Sequence, residues 1–303
     1  MIESKLIKKT VVPSNTHKPV VTFELTYPLF IHAELLTHRV FSRNCASARA
    51  IPANRMIELV KASSTAPNVF RHNKAGMSAG APLSDFDNEI AHHIWQDAMF
   101  KAIACVEELT DPCGPNVHKQ WANRLLMPFT HMRTVLTGTE FDNFFDLRSG
   151  SIGDSGAQDE ISILANQMEY QFKNTESEIS VCHIPYSDYK TGTHKGAYGM
   201  VDALIRSIAK ISRISYMRED RETDIIEDSR QILRLTEGKF HASPFEHQAF
   251  DRYVANHQGA DCGSGNFSRE FAQLRHATPI MESVITRAKD FVAGADFDTA
   301  SQL

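Results

Sequence analysis

The densest run of polar side chains is Thr37-His38-Arg39-Val40-Phe41-Ser42-Arg43-Asn44-Cys45-Ala46-Ser47-Ala48-Arg49. Its three arginines, two serines and small residues suit an anion. Guanidinium groups clamp a phosphate bidentately, and hydroxyls and exposed amides fill its remaining acceptors. If the run were helical throughout, His38, Ser42, Cys45 and Arg49 would share one face. A solvated, positively charged helix face is the alternative, and spacing alone favours neither.

Two further arginines sit beside apolar helical residues. Arg124 precedes Leu125-Leu126-Met127-Pro128, and Arg148 follows Phe144-Phe145-Asp146-Leu147. Taken singly, each reads as a snorkelling or carboxylate-paired side chain. His241-Ala242-Ser243-Pro244-Phe245-Glu246-His247 has histidines six residues apart, which is neither a single-helix ligand pair nor a closed zinc spacing. No metal is expected. The sequence has no G-x-S-x-G elbow, Walker loop or Rossmann glycine fingerprint. Gly263-Ser264-Gly265-Asn266 reads as a turn, and Cys113 as a packing residue in preference to a nucleophile.

The elements that must position these residues follow from periodicity. Val20 to Leu25 predicts a strand, and a helix opens at Leu29 with Ile31, Leu35 and Leu36 as its buried stripe. Helices are predicted over Ala53 to Val60, Asp85 to Leu109, Lys119 to Met127, Glu140 to Leu147, Asp159 to Phe172, Val201 to Ser215 and Ile225 to Glu237. Thr134 to Thr139 is β-branched and predicts a strand. Ser63 to Ser84 reads as a long surface loop, and residues 187–199 as an internal loop or linker within a single domain spanning 1–303.

Composition bounds the function classes. The chain has 303 residues, 42% hydrophobic and 23% charged, with 15 glycines and 12 prolines, which excludes a disordered or collagen-like protein. No apolar run approaches the length of a membrane helix, and residues 1–10 lack a secretory signal pattern. The net charge of −5 gives no reason to expect nucleic-acid binding. Five scattered cysteines without a C-x-x-C pair are expected as reduced thiols in a cytoplasm.

Together the clusters resemble the flavin-dependent thymidylate synthases. That family carries R-H-R-x-x-S-x-N-x-x-S-x-R, and residues Thr37 to Arg49 reproduce all but its first arginine. Arg124 to Pro128, Asn143 to Arg148 and Ala157 to Ile161 are similar to its R-x-x-L-P, N-F-L-x-L-R and A-Q-x-E-I elements, in the same order. Arg213 to Tyr216 and His241 to His247 resemble its R-V-S-Y and S/T-P-F-E-H elements. In the family the latter precedes the histidine-arginine motif, whereas here it follows, so the resemblance implies a circularly permuted order. Residues 260–303 lie outside the resemblance and are an extension of unassigned role.

The resemblance implies an α+β fold with α/β-like character, a central mixed sheet packed with helices, assembled as a homotetramer. It implies C5 methylation of dUMP to dTMP, with methylenetetrahydrofolate as carbon donor and NADPH-reduced FAD as hydride source. By position, Ser47, Arg49 and Arg124 would hold the nucleotide phosphate, with Glu34, Cys45 and Ala48 also lining the substrate site. Arg148 would face the pyrimidine and stabilise its developing charge. His38, Arg39, Asn143, His241, Ser243 and Glu246 would contact FAD. Glu34, Thr37 and Cys45 replace the family's glutamine, arginine and glutamate, and Thr137 and Thr139 stand where it has Asn and Arg. These departures keep two rivals open: modification of another pyrimidine deoxynucleotide such as dCMP, by methylation or hydroxymethylation, and a non-catalytic nucleotide-binding homologue.

Overall fold

The computed structural model describes residues 1–152, 156–189, 197–218, 221–257 and 262–300. The chain opens with β1 (Glu3–Val12), β2 (Asn15–Pro28), α1 (His32–Leu36), β3 (Ser42–Cys45), α2 (Ala53–Ala62), α3 (Asp85–Thr110) and α4 (Lys119–Ala122). It continues through β4 (His131–Gly138), α5 (Asp142–Arg148), α6 (Asp159–Asn174), β5 (Glu178–Ile179) and β6 (Cys182–His183). Then come α7 (Ala197–Arg213), α8 (Ile225–Thr236), β7 (Ala249–Asp251), α9 (Arg252–His257), β8 (Phe271–Gln273) and α10 (Thr278–Ala300).

A five-stranded sheet runs β3-β4-β2-β1-β5, antiparallel except for the β1/β5 pair, and a smaller antiparallel sheet runs β6-β7-β8. The architecture is therefore α+β, with a mixed central sheet flanked by helices. One face of the large sheet presents Val21, Phe23, Leu25 and Tyr27 to Phe141, Phe144 and Phe145 of the α5 segment and to Ile161, Leu164, Ala165 and Met168 of α6. The spacing of these last four lays one stripe along α6. Residues of the second half cover the opposite face, where Val12 and Val20 pack on Ala249, Phe267 and Phe271, and Val135 on Ile211 and Ile214. Burial on both faces holds Val21, Phe23, Leu25 and Tyr27 on one side of β2, and Val20 and Thr22 on the other.

The second contact surface also buries a polar chain. His183 Nδ1 meets Thr10 Oγ1 at 2.9 Å and its Nε2 meets Thr22 Oγ1 at 2.8 Å. Thr22 Oγ1 meets Thr137 Oγ1 at 2.8 Å, and Thr137 Oγ1 meets His247 Nδ1 at 2.8 Å. All five residues are buried. In β-sheet register Thr137 lies between Thr22 and Ser42, so the chain crosses neighbouring strands directly.

The structure corrects several expectations. Residues 37–49 are not one helix: Ser42–Cys45 is a strand paired to β4, so His38, Ser42, Cys45 and Arg49 do not share a helical face. The carbonyls of Leu35, Leu36 and His38 accept from Arg43 Nη1, which closes α1 before the strand. Leu36 is exposed. The segment Lys119 to Met127 tightens into a 3-10 helix over Asn123–Phe129 that contains Pro128, since that proline offers no N–H to an α-helical ladder. Of the expected 187–199 loop, residues 190–196 lie outside the described residues and 197–199 already belong to α7. The 260–303 extension contributes β8 and α10, whose Val284 and Ala288 join the core formed with α7 and α8. No helix among the described residues is long and apolar enough to cross a membrane.

Burial holds His247 down to about 3 and His183 well below the ordinary histidine value. An unfolded histidine takes its proton near pH ~6.5, so below that pH the unfolded chain binds more protons and stability falls with acidification. Urea unfolding should therefore show stability dropping between pH 6.5 and 5 by up to about 1.4 kcal/mol per pH unit for each histidine. The His247→Gln variant should show a shallower slope. Equal slopes in both proteins would remove His247 from the account.

Candidate functional site

The strand β3 and the turn after it form the backbone of the site. Asn44, buried on β3, donates from Nδ2 to Ile211 O at 2.6 Å, and its Oδ1 accepts from Ser243 Oγ at 2.9 Å. Ser42 Oγ accepts from Gln273 Nε2 at 3.0 Å and Asn266 Nδ2 at 3.4 Å, and Gln273 Nε2 also reaches Glu246 O at 2.9 Å. Three segments distant in sequence thus converge on two alternate residues of one strand. The Gly263-Ser264-Gly265-Asn266 turn supports this junction. Gly265 has φ +57, and a Cβ there would lie 2.0 Å from Gln273 Oε1. Glycine is required by both conformation and space.

Beyond the strand, Ser47 N donates to Ser215 O at 3.0 Å, and Asn123 Nδ2 holds Ala48 O at 2.8 Å and Ile51 O at 3.0 Å. Arg49 and Arg124, both exposed, therefore flank one backbone junction. At the other end of β3, His38 is buried edge-on to Phe144, with ring centroids 4.9 Å apart, and Arg148 Nε donates to its Nε2 at 3.3 Å. Burial first, then the Arg148 and Arg43 charges, keep His38 below its ordinary value. The neutral ring is the form that accepts a hydrogen bond and fixes the guanidinium. In the chain, His38 precedes β3 and Ser47 to Arg49 follow it.

The remaining expected residues are dispersed. Arg39 and Asn143 are exposed, and His241 is exposed on the rim of a cleft. Glu246 forms an ion pair with Arg275. Cys45 Sγ accepts from Thr134 Oγ1 at 3.4 Å, and burial raises its pKa, so the thiol stays protonated. Glu34 Oε2 is buried without a hydrogen-bond partner. Thr137 belongs to the buried histidine chain, and Thr139 Oγ1 accepts from Ser268 N at 2.9 Å. Their substitution thus has a structural reason in contacts with the second half of the chain.

Sequence reasoning missed Asn44 as the tie between segments, Asn123, Gln273 and the arginines of the cleft. This cleft, of about 430 Å³, lies between β3, the end of α7, α8 and the Ser243–Phe245 turn, with Arg213, Arg218 and Arg234 in its wall. A larger cavity of about 1030 Å³ adjoins it and shares Tyr216 and Arg218. The only advance signal was the resemblance at Arg213 to Tyr216. Among the described residues no cluster of side chains suits a metal.

The family model described as thymidylate synthase complementing protein matches residues 4–175. None of the curated proteins compared matches the chain. Among solved structures, the UMP/dUMP methylase PolB from Streptomyces cacaoi bound with 5-Br UMP is similar with a TM-score of 0.46 and 19% identity, over 57% of this chain and 89% of that one. The same protein bound with 5-Br dUMP gives 0.45 and 19%, over 57% and 90%.

Asn44→Ala should cost about 2 kcal/mol, because it strands a buried carbonyl and frees the Ser243 turn. Urea denaturation measures the loss, and amide exchange at Phe245 and Glu246 should accelerate. Unchanged exchange would show that the turn does not depend on Asn44.

Proposed function

Since the chain belongs to the thymidylate synthase complementing protein family, we propose that it methylates dUMP at C5 to give dTMP, using methylenetetrahydrofolate, NADPH and FAD. The observation that carries this reading is the docking of the Ser243–Phe245 turn on Asn44, which joins two motif segments far apart in the chain. Their meeting supports a shared site regardless of their order along the sequence.

FAD fits the donor set. His241 and Ser243 stand on the cleft with guanidinium groups in its wall, a surface suited to phosphate oxygens. Bound flavin supplies the hydride chemistry that side chains lack. The chain's own residues bind and orient. Ser47, Arg49 and Arg124 take the nucleotide phosphate at the junction held by Asn123. Arg148 stabilises negative charge developing on the pyrimidine, and neutral His38 holds its guanidinium in place. Arg39, Asn143 and Glu246 complete the flavin contacts. The unpartnered Glu34 oxygen offers an acceptor to a ring N–H or amino group, which also keeps dCMP as an alternative substrate. A second copy of the chain completes the site, in keeping with the homotetramer that the family resemblance implies.

Purified protein should carry flavin absorbance and should add a methyl mass to dUMP when supplied with methylenetetrahydrofolate and NADPH. A colourless protein that cannot be reconstituted with FAD would favour the non-catalytic homologue, and a modified dCMP product would favour the other substrate. Arg148→Ala should lower turnover by about 10²-fold or more with FAD retained. His241→Ala should chiefly reduce flavin occupancy, and equal flavin loss in both variants would contradict the division of roles.

A further inference from the structure

We propose that α3 carries a self-complementary stripe through which two copies of the chain pair as antiparallel helices. The helix is apolar on two opposite sides. Met99, Ile103 and Val106 enter the core that α3 shares with α2 and the Asn123–Phe129 helix. On the other side Phe86 is 72% exposed, Ile90 43%, Ile94 65% and Phe100 55%. At about 3.6 residues per turn these four fall within roughly 120° of the helix circumference, facing away from the three buried residues. A row of large apolar side chains held in water marks a contact surface. Exposed His93, Asp97 and Lys101 lie on the same stripe, and exposed Asp87 lies at its edge. Ionised groups so placed are costly against lipid and call for opposite charges on a protein partner.

The order of residues along the stripe selects that partner. A two-fold axis between antiparallel helices sets each residue opposite its mirror position. With the axis at the level of Trp95, Phe86 meets the partner's Ala104, Ile90 meets the partner's Phe100, and His93 meets the partner's Asp97. A bulky side chain thus faces a small one, apolar faces apolar, and imidazole faces carboxylate. Along one edge of the seam Lys101 reaches the partner's Asp87, and the symmetry makes every contact twice. On its own helix His93 has only an exposed contact with Glu89 at 3.9 Å, which leaves the ring able to turn to a second carboxylate. Parallel pairing in register would set Asp97 against Asp97 and Lys101 against Lys101, so charge favours the antiparallel seam. The seam is independent of which reaction the chain runs.

Carbodiimide coupling of the wild-type, full-length protein, followed by mass spectrometry, tests the seam without any variant. It should join Lys101 to Asp87, which lie about 21 Å apart along one helix and so couple only between two copies. Sedimentation should show a dimer or a multiple of it. His93→Asp, which sets like charges against each other, should weaken association by about tenfold or more, and His93→Asp/Asp97→Lys should restore it. A monomer at every concentration, an assembly that yields no link between Lys101 and Asp87, or a folded His93→Asp protein that associates unchanged would each overturn the proposal. The second of these would put the contacts of the assembly on another surface. A link between Lys101 and Asp87 in a protein that takes up no flavin would keep the seam and remove the flavin reading, and turnover without the link would do the reverse.

Discussion

The large sheet buries hydroxyl groups on a face that a second layer must cover, and this constraint governs the rest of the molecule. Thr22 and Thr137 lie side by side in the middle of that face, away from water. A buried hydroxyl without a partner is costly, and here the partners are His183 and His247 from the second half of the chain. Apolar contacts such as Val20 with Phe271 supply attraction but little direction, whereas the threonine-histidine chain fixes the register of the two layers.

Once the layers are registered, the site forms along their junction. His247 follows the turn that carries Ser243, so its bond to Thr137 brings that turn to the strand adjoining β4. Asn44 and Ser42 point from β3 into the same junction and receive Ser243, Gln273 and Asn266. Asn44, within the matched stretch, therefore lines the cleft, and residues beyond that stretch supply the arginines. The C-terminal segment acts through the same device, since the Gly265 turn leaves space for the Gln273 amide group.

His38 and Arg148 show a different use of burial. The aromatic residues of α5 exclude water around the imidazole, which keeps it neutral and able to accept from Arg148. The surrounding core orients this arginine, and no carboxylate among the described residues is paired with it.

Much of this was legible in the residues. The period of Ile161, Leu164, Ala165 and Met168 fixes α6 and its buried face, and the β-branched run marks β4. The run from Thr37 to Arg49 was open to a helical reading because a four-residue strand is too short for period 2 to outweigh period 3.6. The β1 strand was missed since its lysines and threonines do not announce burial, and residues far along the chain cover it. Residue types and local spacing determined the elements and the family to which the chain belongs. Tertiary structure decided that Asn44 meets Ser243 and that Thr137 meets His247, because hydrogen bonding between distant segments depends on three-dimensional placement.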